Sequence, residues 1–529
     1  MDEHQLYDAN GDESWTDGFG NPLYAESDLE SEDEEHLEIE LEREDNEHPQ
    51  IELENEDGMV SDRYLLDVMS NPALIRNVAL VGHWCHGKTE FVHAMMSYVH
   101  HVSTLEQINE RRICTPYTRI YSDTRLSYRL HLASLILSDN DSTSYLCNIL
   151  DCPGHVDFSD EMTFALRLAD GAILLVDAVQ GVMVNTERAI RHAIQKCIPI
   201  VLVINKVDRL ITKLKLTPKD AYFKLKHIVE TVNDQIIAAS STTGNSEVID
   251  PALGNVCFAS AKDAWFFTLQ SFAKLKVTGN QEIDAVFVVD TGFTDMLVHH
   301  ILSAKDAAIR KVEHIYTGPK NSTIYKAMED SDSTGPLMVN VTGMYIHSGV
   351  LGRVYSGKIM TGHTVRVLRA EDKLNELMTV KVTKLWVLQA CCKIPVSKAT
   401  PGSLVLIGGV DDAIENTASL CNLESDEDAY KFRLLQFNTF PLVKIAFSLL
   451  NGWTLDDISE GLRKIIRSYP IATLRVEKSG VCTISGTGEL YLKFIMEDVR
   501  QISLDKKGMI IKLNSYRGTF FLCGQYLGG

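Results

Sequence analysis

Eight residues, Gly82-His83-Trp84-Cys85-His86-Gly87-Lys88-Thr89, have the spacing of a phosphate-binding loop, G-x-x-x-x-G-K-[ST]. Two glycines let the backbone wrap close to a phosphate, and successive amides then point inward at the anion. Lys88 is placed to reach β- and γ-phosphates, and the Thr89 hydroxyl to ligate Mg²⁺. An apolar run, Val78–Val81, precedes the loop and a helix-like run, Glu90–Val102, follows it. That strand–loop–helix setting separates the motif from a chance glycine-rich turn. A second group, Asp151-Cys152-Pro153-Gly154-His155, closes the run Leu146–Leu150. Asp151 can hold Mg²⁺ through water, the Gly154 amide can sense a γ-phosphate, and His155 can orient an attacking water. Alone, Asp-x-Pro-Gly is a common turn. A third group, Asn205-Lys206-Val207-Asp208, follows the run Ile198–Ile204. The Asp208 carboxylate can accept hydrogen bonds from guanine N1 and N2, a donor pair that adenine lacks. Asn205 can bond the base edge, and the Lys206 stem can cover the ring. The fourth group, Ser260-Ala261-Lys262, offers a backbone amide to guanine O6. The four groups in this order point to GTP or GDP held with Mg²⁺. His83 and His86 flank Cys85, which are metal-ligand types, but the Gly-Lys-Thr context favours loop backbone over a metal site.

The elements that must position these groups alternate strand and helix from Asn71 to about Lys276. Apolar runs stand at Ile75–Val81, Tyr145–Leu150, Gly171–Val176, Ile198–Ile204 and Asn255–Ala259. Helical spacing lies between them, at Ser159–Ala169, Thr186–Lys196 and Pro218–Ala238. Near-continuous apolar strands separated by helices predict an α/β fold with a parallel sheet covered on both faces. Ligands of such sheets bind at the carboxyl ends of strands, where all four groups fall. From 335 to 425, short alternating strands with Gly turns predict an antiparallel β-barrel. The expected strands are Leu337–Val341, Gly352–Ser356, His363–Leu368, Thr379–Leu388 and Ser403–Gly408. From 440 to 505 the pattern predicts an α+β domain with an amphipathic helix at Leu455–Ser468. Gly486-x-Gly488 lacks a preceding parallel strand and a Lys, so it reads as a turn. Residues 506–529 form a divergent tail.

At 529 residues the chain is too long for one core, and roughly three to four domains are expected. The net charge of −21 is concentrated at one end: Met1–Asp57 holds 23 acidic residues and one Arg, leaving 50 basic and 49 acidic in the remainder. Residues 1–60 therefore read as a disordered acidic tail, either solvating or docking on a basic partner. The body lacks the basic stripe of a dedicated nucleic-acid binder, and no DNA contact is expected. No run of about 18 apolar residues exists, so no membrane span is expected. The acidic start fits neither a secretory signal nor a transit peptide. Eleven scattered cysteines without a C-x-x-C pair fit a reducing compartment.

Gly-His-x-x-His-Gly-Lys-Thr with Asp-x-Pro-Gly-His-Val-Asp-Phe and Asn-Lys-Val-Asp is similar to the translational GTPases, in particular elongation factor 2. The stretches Phe158–Glu161, Gly181–Arg188, Lys206–Ile211, Asp220–Leu225 and Ser271–Lys274, with the acidic extension, resemble the spliceosomal branch, the GTPase subunits of the U5 small nuclear ribonucleoprotein, with a plant-like look. The resemblance covers most of residues 60–500. It implies a 71–315 GTP-binding domain, then a β-barrel, then a ferredoxin-like α+β domain. It also implies GTP hydrolysis, U5 proteins and small nuclear RNA as partners, and a nuclear location. The runner-up readings are a ribosomal translocation factor, a non-hydrolysing nucleotide-bound scaffold and a decayed paralogue.

The departures carry expectations of their own. Between Thr118 and Ser134 the family's switch I supplies a hydroxyl that completes the Mg²⁺ shell, and that run is missing here. Thr124 and Ser127 are possible substitutes, but spacing supports neither. Hydrolysis should suffer more than binding. Cys85 and Cys152 replace polar or small residues, and Asp157 follows the ribosomal branch. Only a dozen unrelated residues, Val277–Asp290, bridge a longer family segment, so the end of the GTP-binding domain is expected to pack poorly, as at a gene-model junction. The two C-terminal domains of the family have no counterpart in the sequence.

Overall fold

The computed structural model describes residues 62–99, 127–139, 143–240, 248–277, 289–345, 349–369, 378–389, 392–414, 417–422, 429–449, 461–463, 465–476, 481–505 and 511–514. The acidic tail, the stretch 118–126 that includes Thr124, and the bridge 278–288 lie outside the described residues.

Seven strands form the first sheet: β1 (Ile75–Val81), β2 (His131–Ser138), β3 (Ser144–Asp151), β4 (Gly171–Asp177), β5 (Ile200–Asn205), β6 (Val256–Ser260) and β7 (Trp265–Thr268). Their spatial order is β2-β3-β1-β4-β5-β6-β7. The five strands expected from apolar runs pair in parallel, with Val78 opposite Ile149 and Gly171, and Ile173 opposite Val201. The sheet is not wholly parallel, however: β2 runs antiparallel to β3, and β7 antiparallel to β6. Both were missed because each is joined to its neighbour by a tight return, which needs no crossover helix to announce it. Every residue of β1, β4 and β5 is buried, as expected for strands covered on both faces.

Helices Lys88–Val99, Ser159–Leu168, Val184–Gln195 and Pro218–Ser240 cover the sheet. The helix that follows the undescribed bridge packs well. The helix Val289–His300 buries Phe293, Met296 and Leu297 completely or nearly so. Phe293 lies 5.4 Å from Phe91 and 6.5 Å from Phe266, so the helix closes the same core as the phosphate-loop helix. Each such side chain stabilises the fold by about 1.5–3 kcal/mol.

The second region contains β8 (Met338–Tyr345), β9 (Gly349–Ser356), β10 (Ile359–Met360), β11 (Thr364–Arg369), β12 (Met378–Lys381), β13 (Lys384–Gln389), β14 (Cys392–Pro395), β15 (Lys398–Ala399), β16 (Leu404–Gly408) and β17 (Thr417–Cys421). The order β12-β11-β17-β8-β9-β16-β13 closes on itself, because only Val382 and Thr383 separate β12 from β13. The single strand expected over Thr379–Leu388 is thus bent at Val382–Thr383, with β12 on β11 and β13 on β16 and β14.

The third region has β18 (Val443–Leu449), β19 (Thr473–Val476), β20 (Cys482–Gly486) and β21 (Ile511–Asn514), ordered β19-β20-β18-β21, with helix Glu489–Asp505 against them. This is the ferredoxin-like arrangement. Strand β21 lies in the segment read as a divergent tail, yet it pairs with β18. Backbone pairing tolerates sequence drift that erases family likeness. Of the helix expected at Leu455–Ser468, residues 461–463 and 465–467 are helical.

Among the described residues no helix is long and apolar enough to cross a membrane.

Candidate functional site

All four sequence groups emerge at the carboxyl edge of the first sheet, after β1, β3, β5 and β6. The phosphate loop turns sharply: Cys85 has φ 61° and Gly87 φ 92°. A side chain at Gly87 would place its first carbon 2.7 Å from Asn205 Nδ2, so only glycine lets the two loops meet. His86 is fully buried beneath the loop, with Nδ1 3.1 Å from the Leu175 carbonyl. Cys85 is exposed. His86 and Cys85 therefore point to opposite sides, and among the described residues no group of three or more His, Cys, Asp or Glu is placed to hold a metal. Trp84 is exposed at the loop tip, and its ring meets His155 edge-on, 6.4 Å away, and His83 at 6.3 Å.

Lys88 is buried, and among the described residues no carboxylate pairs with it. Its Nζ donates to the carbonyls of Gly82 (3.1 Å) and His83 (2.9 Å). Burial pushes its pKa down, opposed by nearby Asp151. Asp151 ends β3, and burial pushes its carboxyl up, opposed by Lys88 and by the Thr89 hydroxyl. Thr89 Oγ1 donates to Asp151 Oδ2 at 2.7 Å, while the buried Oδ1 has no partner among the described residues. Burial thus disfavours the charged form of both groups, a cost that a phosphate and a divalent ion would offset.

The second group folds over the phosphate loop. Cys152 is buried, its amide donating to the Leu80 carbonyl at 3.1 Å, and burial keeps its thiol protonated. Pro153 is buried beside it. Gly154 has no room for a side chain, since its first carbon would lie 2.6 Å from the Trp84 amide nitrogen. Its carbonyl accepts from Asn185 Nδ2 at 3.0 Å, a contact that no motif foretold. His155 Nδ1 accepts from the Asp157 amide at 3.2 Å. In the neutral ring Nε2 then carries the proton.

The third and fourth groups lock together. Asn205 is fully buried, with Nδ2 donating to the His86 carbonyl and Oδ1 accepting from the Ala261 amide, both at 3.0 Å. Both ends of the Asn205 amide thus clamp loops, and one N–H of Nδ2 is left over for the base edge. The same bond occupies the Ala261 amide, leaving that of exposed Lys262. Ser260 Oγ donates to Asp263 at 2.9 Å. Lys206 has φ 61°, and its Nζ bonds the Cys85 carbonyl and Asp177 Oδ2, the latter at 2.9 Å. Its stem therefore spans the site. Val207 is half-buried, its amide donating to the Ala259 carbonyl at 3.1 Å. Asp208 is half-buried at the start of helix Asp208–Thr212.

Two more partners lie outside the four groups. Asp177 closes β4 and receives Lys206 and the amides of Val179 and Gln180. Burial works to raise its carboxyl, but these bonds outweigh it and hold it below the usual range. An acid ending an apolar strand was the available signal. Ser127 is the other: its Oγ lies 3.0 Å from Thr89 Oγ1.

Burial pushes His86 and His192 each down to about 4 from 6.5. A base whose folded pKa is depressed stabilises nothing by charging, so the unfolded chain takes up protons first as pH falls below 6.5. Stability is expected to decline from pH 6.5 towards 4, by at most roughly 3 kcal/mol per ring. Urea midpoints across that range should fall, and His192→Gln should flatten the slope; an equal slope in the variant would contradict the assignment.

The fold is that of a P-loop GTPase domain, and residues 73–313 match the family "Elongation factor Tu GTP binding domain". The chain is 48% identical to the 110 kDa U5 small nuclear ribonucleoprotein component CLO of Arabidopsis thaliana, over 84% of this chain and 55% of the relative. It is 30% identical to pre-mRNA-splicing factor cwf10 of Schizosaccharomyces pombe, over 83% and 54%. Elongation factor 2 of Ignicoccus hospitalis is 28% identical, over 88% and 64%. Among elongation factor 2-like GTPases the chain thus resembles the U5 small nuclear ribonucleoprotein branch. It spans about half the length of the splicing relatives it matches.

Proposed function

We propose that the chain is a GTP-binding protein of the nuclear pre-mRNA splicing machinery, holding GTP or GDP with Mg²⁺ and turning GTP over slowly. The observation that carries this reading is the convergence of buried Lys88, the Thr89–Asp151 pair and the Lys206–Asp208 loop at one sheet edge.

The phosphate-loop amides from Gly82 to Thr89 would surround the phosphates, and Lys88 would exchange its two carbonyls for β- and γ-oxygens. Thr89 and Asp151 would hold a Mg²⁺ ion, which would supply positive charge to offset the phosphates' negative charge. The Gly154 amide would sense the γ-phosphate. With its proton on Nε2, His155 can orient a water by donating to it but cannot take its proton there. Asp208 would select guanine through N1 and N2, the Lys206 stem would cover the ring, and the Lys262 amide would take O6. Partners by likeness are U5 proteins and small nuclear RNA, and the nucleotide state would bias those contacts.

Titration of the purified full chain with fluorescent GTP, with ATP as control, tests the reading. Binding at micromolar concentration or tighter is expected for GTP alone. His155→Ala should leave affinity within about twofold while lowering single-turnover hydrolysis by roughly 10²-fold or more. Brisk parent turnover would contradict a limiting switch I. Co-purification with ribosomes and without small nuclear RNA would reject the splicing assignment.

A further inference from the structure

We infer that Ser127 supplies an oxygen to the metal pole of the nucleotide site, and that Tyr128 and Arg129 make it the end of a strut anchored in the C-terminal α+β region. The inference rests on the nucleotide reading above and adds a residue and a coupling to it.

The metal pole has three oxygens in line. Ser127 Oγ lies 3.0 Å from Thr89 Oγ1, which lies 2.7 Å from Asp151 Oδ2. Asp151 Oδ1 is buried beside them, without a partner among the described residues. Two hydroxyls and a carboxylate form a hard-oxygen set, and Mg²⁺ takes only a few such protein ligands, with phosphate and water completing its octahedron. No charged cluster competes for that ion among the described residues. Spacing alone could not nominate Ser127, because the hydroxyl meets Thr89 from 38 positions away.

The residues after Ser127 face away from the site. Tyr128 is buried and stacks flat on Phe494, with ring centroids 4.0 Å apart and planes 8° apart. Phe494 belongs to helix Glu489–Asp505 of the α+β region. Arg129 is buried, with its guanidinium 3.8 Å above the Tyr469 ring, Nη1 3.3 Å from Glu161 Oε1 and Nη2 3.5 Å from Asp498. It also bonds the Ser468 carbonyl. Glu161 Oε2 accepts the Leu130 amide at 3.1 Å, which fixes the backbone just past the tripeptide. Two seated side chains on one face therefore hold the third on the other. Whatever loosens that seat withdraws the Ser127 oxygen. By linkage, Mg²⁺-nucleotide binding in turn favours the docked α+β region.

Titration of the full chain with fluorescent GTP, in Mg²⁺ and in excess chelator, separates the two states. Bound Mn²⁺ measured by electron paramagnetic resonance gives an independent metal readout. Ser127→Ala is expected to cut the Mg²⁺-dependent gain in affinity about tenfold, the size of one contact to a charged group, with no change in chelator. Ser127→Thr should keep the gain and the Mn²⁺ signal. Phe494→Leu, which removes the stack and leaves Ser127 intact, should lower the gain in the same direction. A parental gain in Ser127→Ala, or an equal loss with and without Mg²⁺, would overturn the ligand role. A gain indifferent to Phe494→Leu would overturn the strut. A parent chain that binds GTP with a Mg²⁺ gain untouched by Ser127→Ala defeats this inference alone; a parent that binds no guanine nucleotide defeats both readings.

Discussion

Asp170→Ala is expected to lower the unfolding free energy by roughly 3–5 kcal/mol, the cost of leaving a buried charge without its partner. Asp170 precedes β4 of the first sheet, and Arg353 lies in β9 of the barrel. Asp170 Oδ1 and Arg353 Nη1 are 2.6 Å apart, with side chains 0% and 1% exposed. The guanidinium also donates to the Leu168 carbonyl at 2.6 Å, and Asp170 Oδ2 accepts from Asn77 Nδ2 at 3.0 Å. Asn77 reaches the Gly402 carbonyl from the same amide, also at 3.0 Å. Lys311 lies in the same cluster and bonds the carbonyls of Leu166 and Ala169. Burial pushes its amine down to about 7, against the pull of Asp170. Removing Asp170 therefore strands two basic groups. Urea unfolding checks the figure, and adding Arg353→Met to Asp170→Ala should restore part of the loss. A loss under about 1 kcal/mol would show that water or rearrangement rescues the arginine, as at an exposed pair.

Asp208→Asn is expected to weaken GTP binding by about 10²-fold or more, since two charge-assisted bonds to the base are lost or weakened. The neutral amide offers a donor where the carboxylate offered only acceptors. Xanthosine triphosphate, which carries an oxygen at C2 in place of the amino group, should gain relative to GTP in the variant. Competition titrations against the fluorescent nucleotide measure both changes. Equal affinity of the parent for ATP and GTP would sink the base-selection argument, whatever the variant does. Stability should hardly change, because Asp208 is half-buried at the start of a short helix.

The sequence by itself determined the parallel core and the places where its loops emerge. Short apolar runs alternating with helical segments point to strands buried on both faces, and β1 occupies Ile75–Val81, the span read from the sequence. Local chemistry sufficed there because strand, turn and helix start are neighbours in the chain. The barrel strands were legible for the same reason, up to the bend at Val382–Thr383. Only the tertiary structure decided what depends on residues distant in sequence. Asn205 serves as a clamp between loops, because His86 and Ala261 come to it from 119 and 56 positions away. Likewise β21 joins β18 although its sequence carries no family signal. Ser127 meets Thr89 from 38 positions away, at the end of a stretch whose pattern had lost its ligand. Periodicity reports which face of an element is buried. It does not report which distant hydroxyl or amide that face will meet, because packing sets that geometry and leaves no local pattern in the chain.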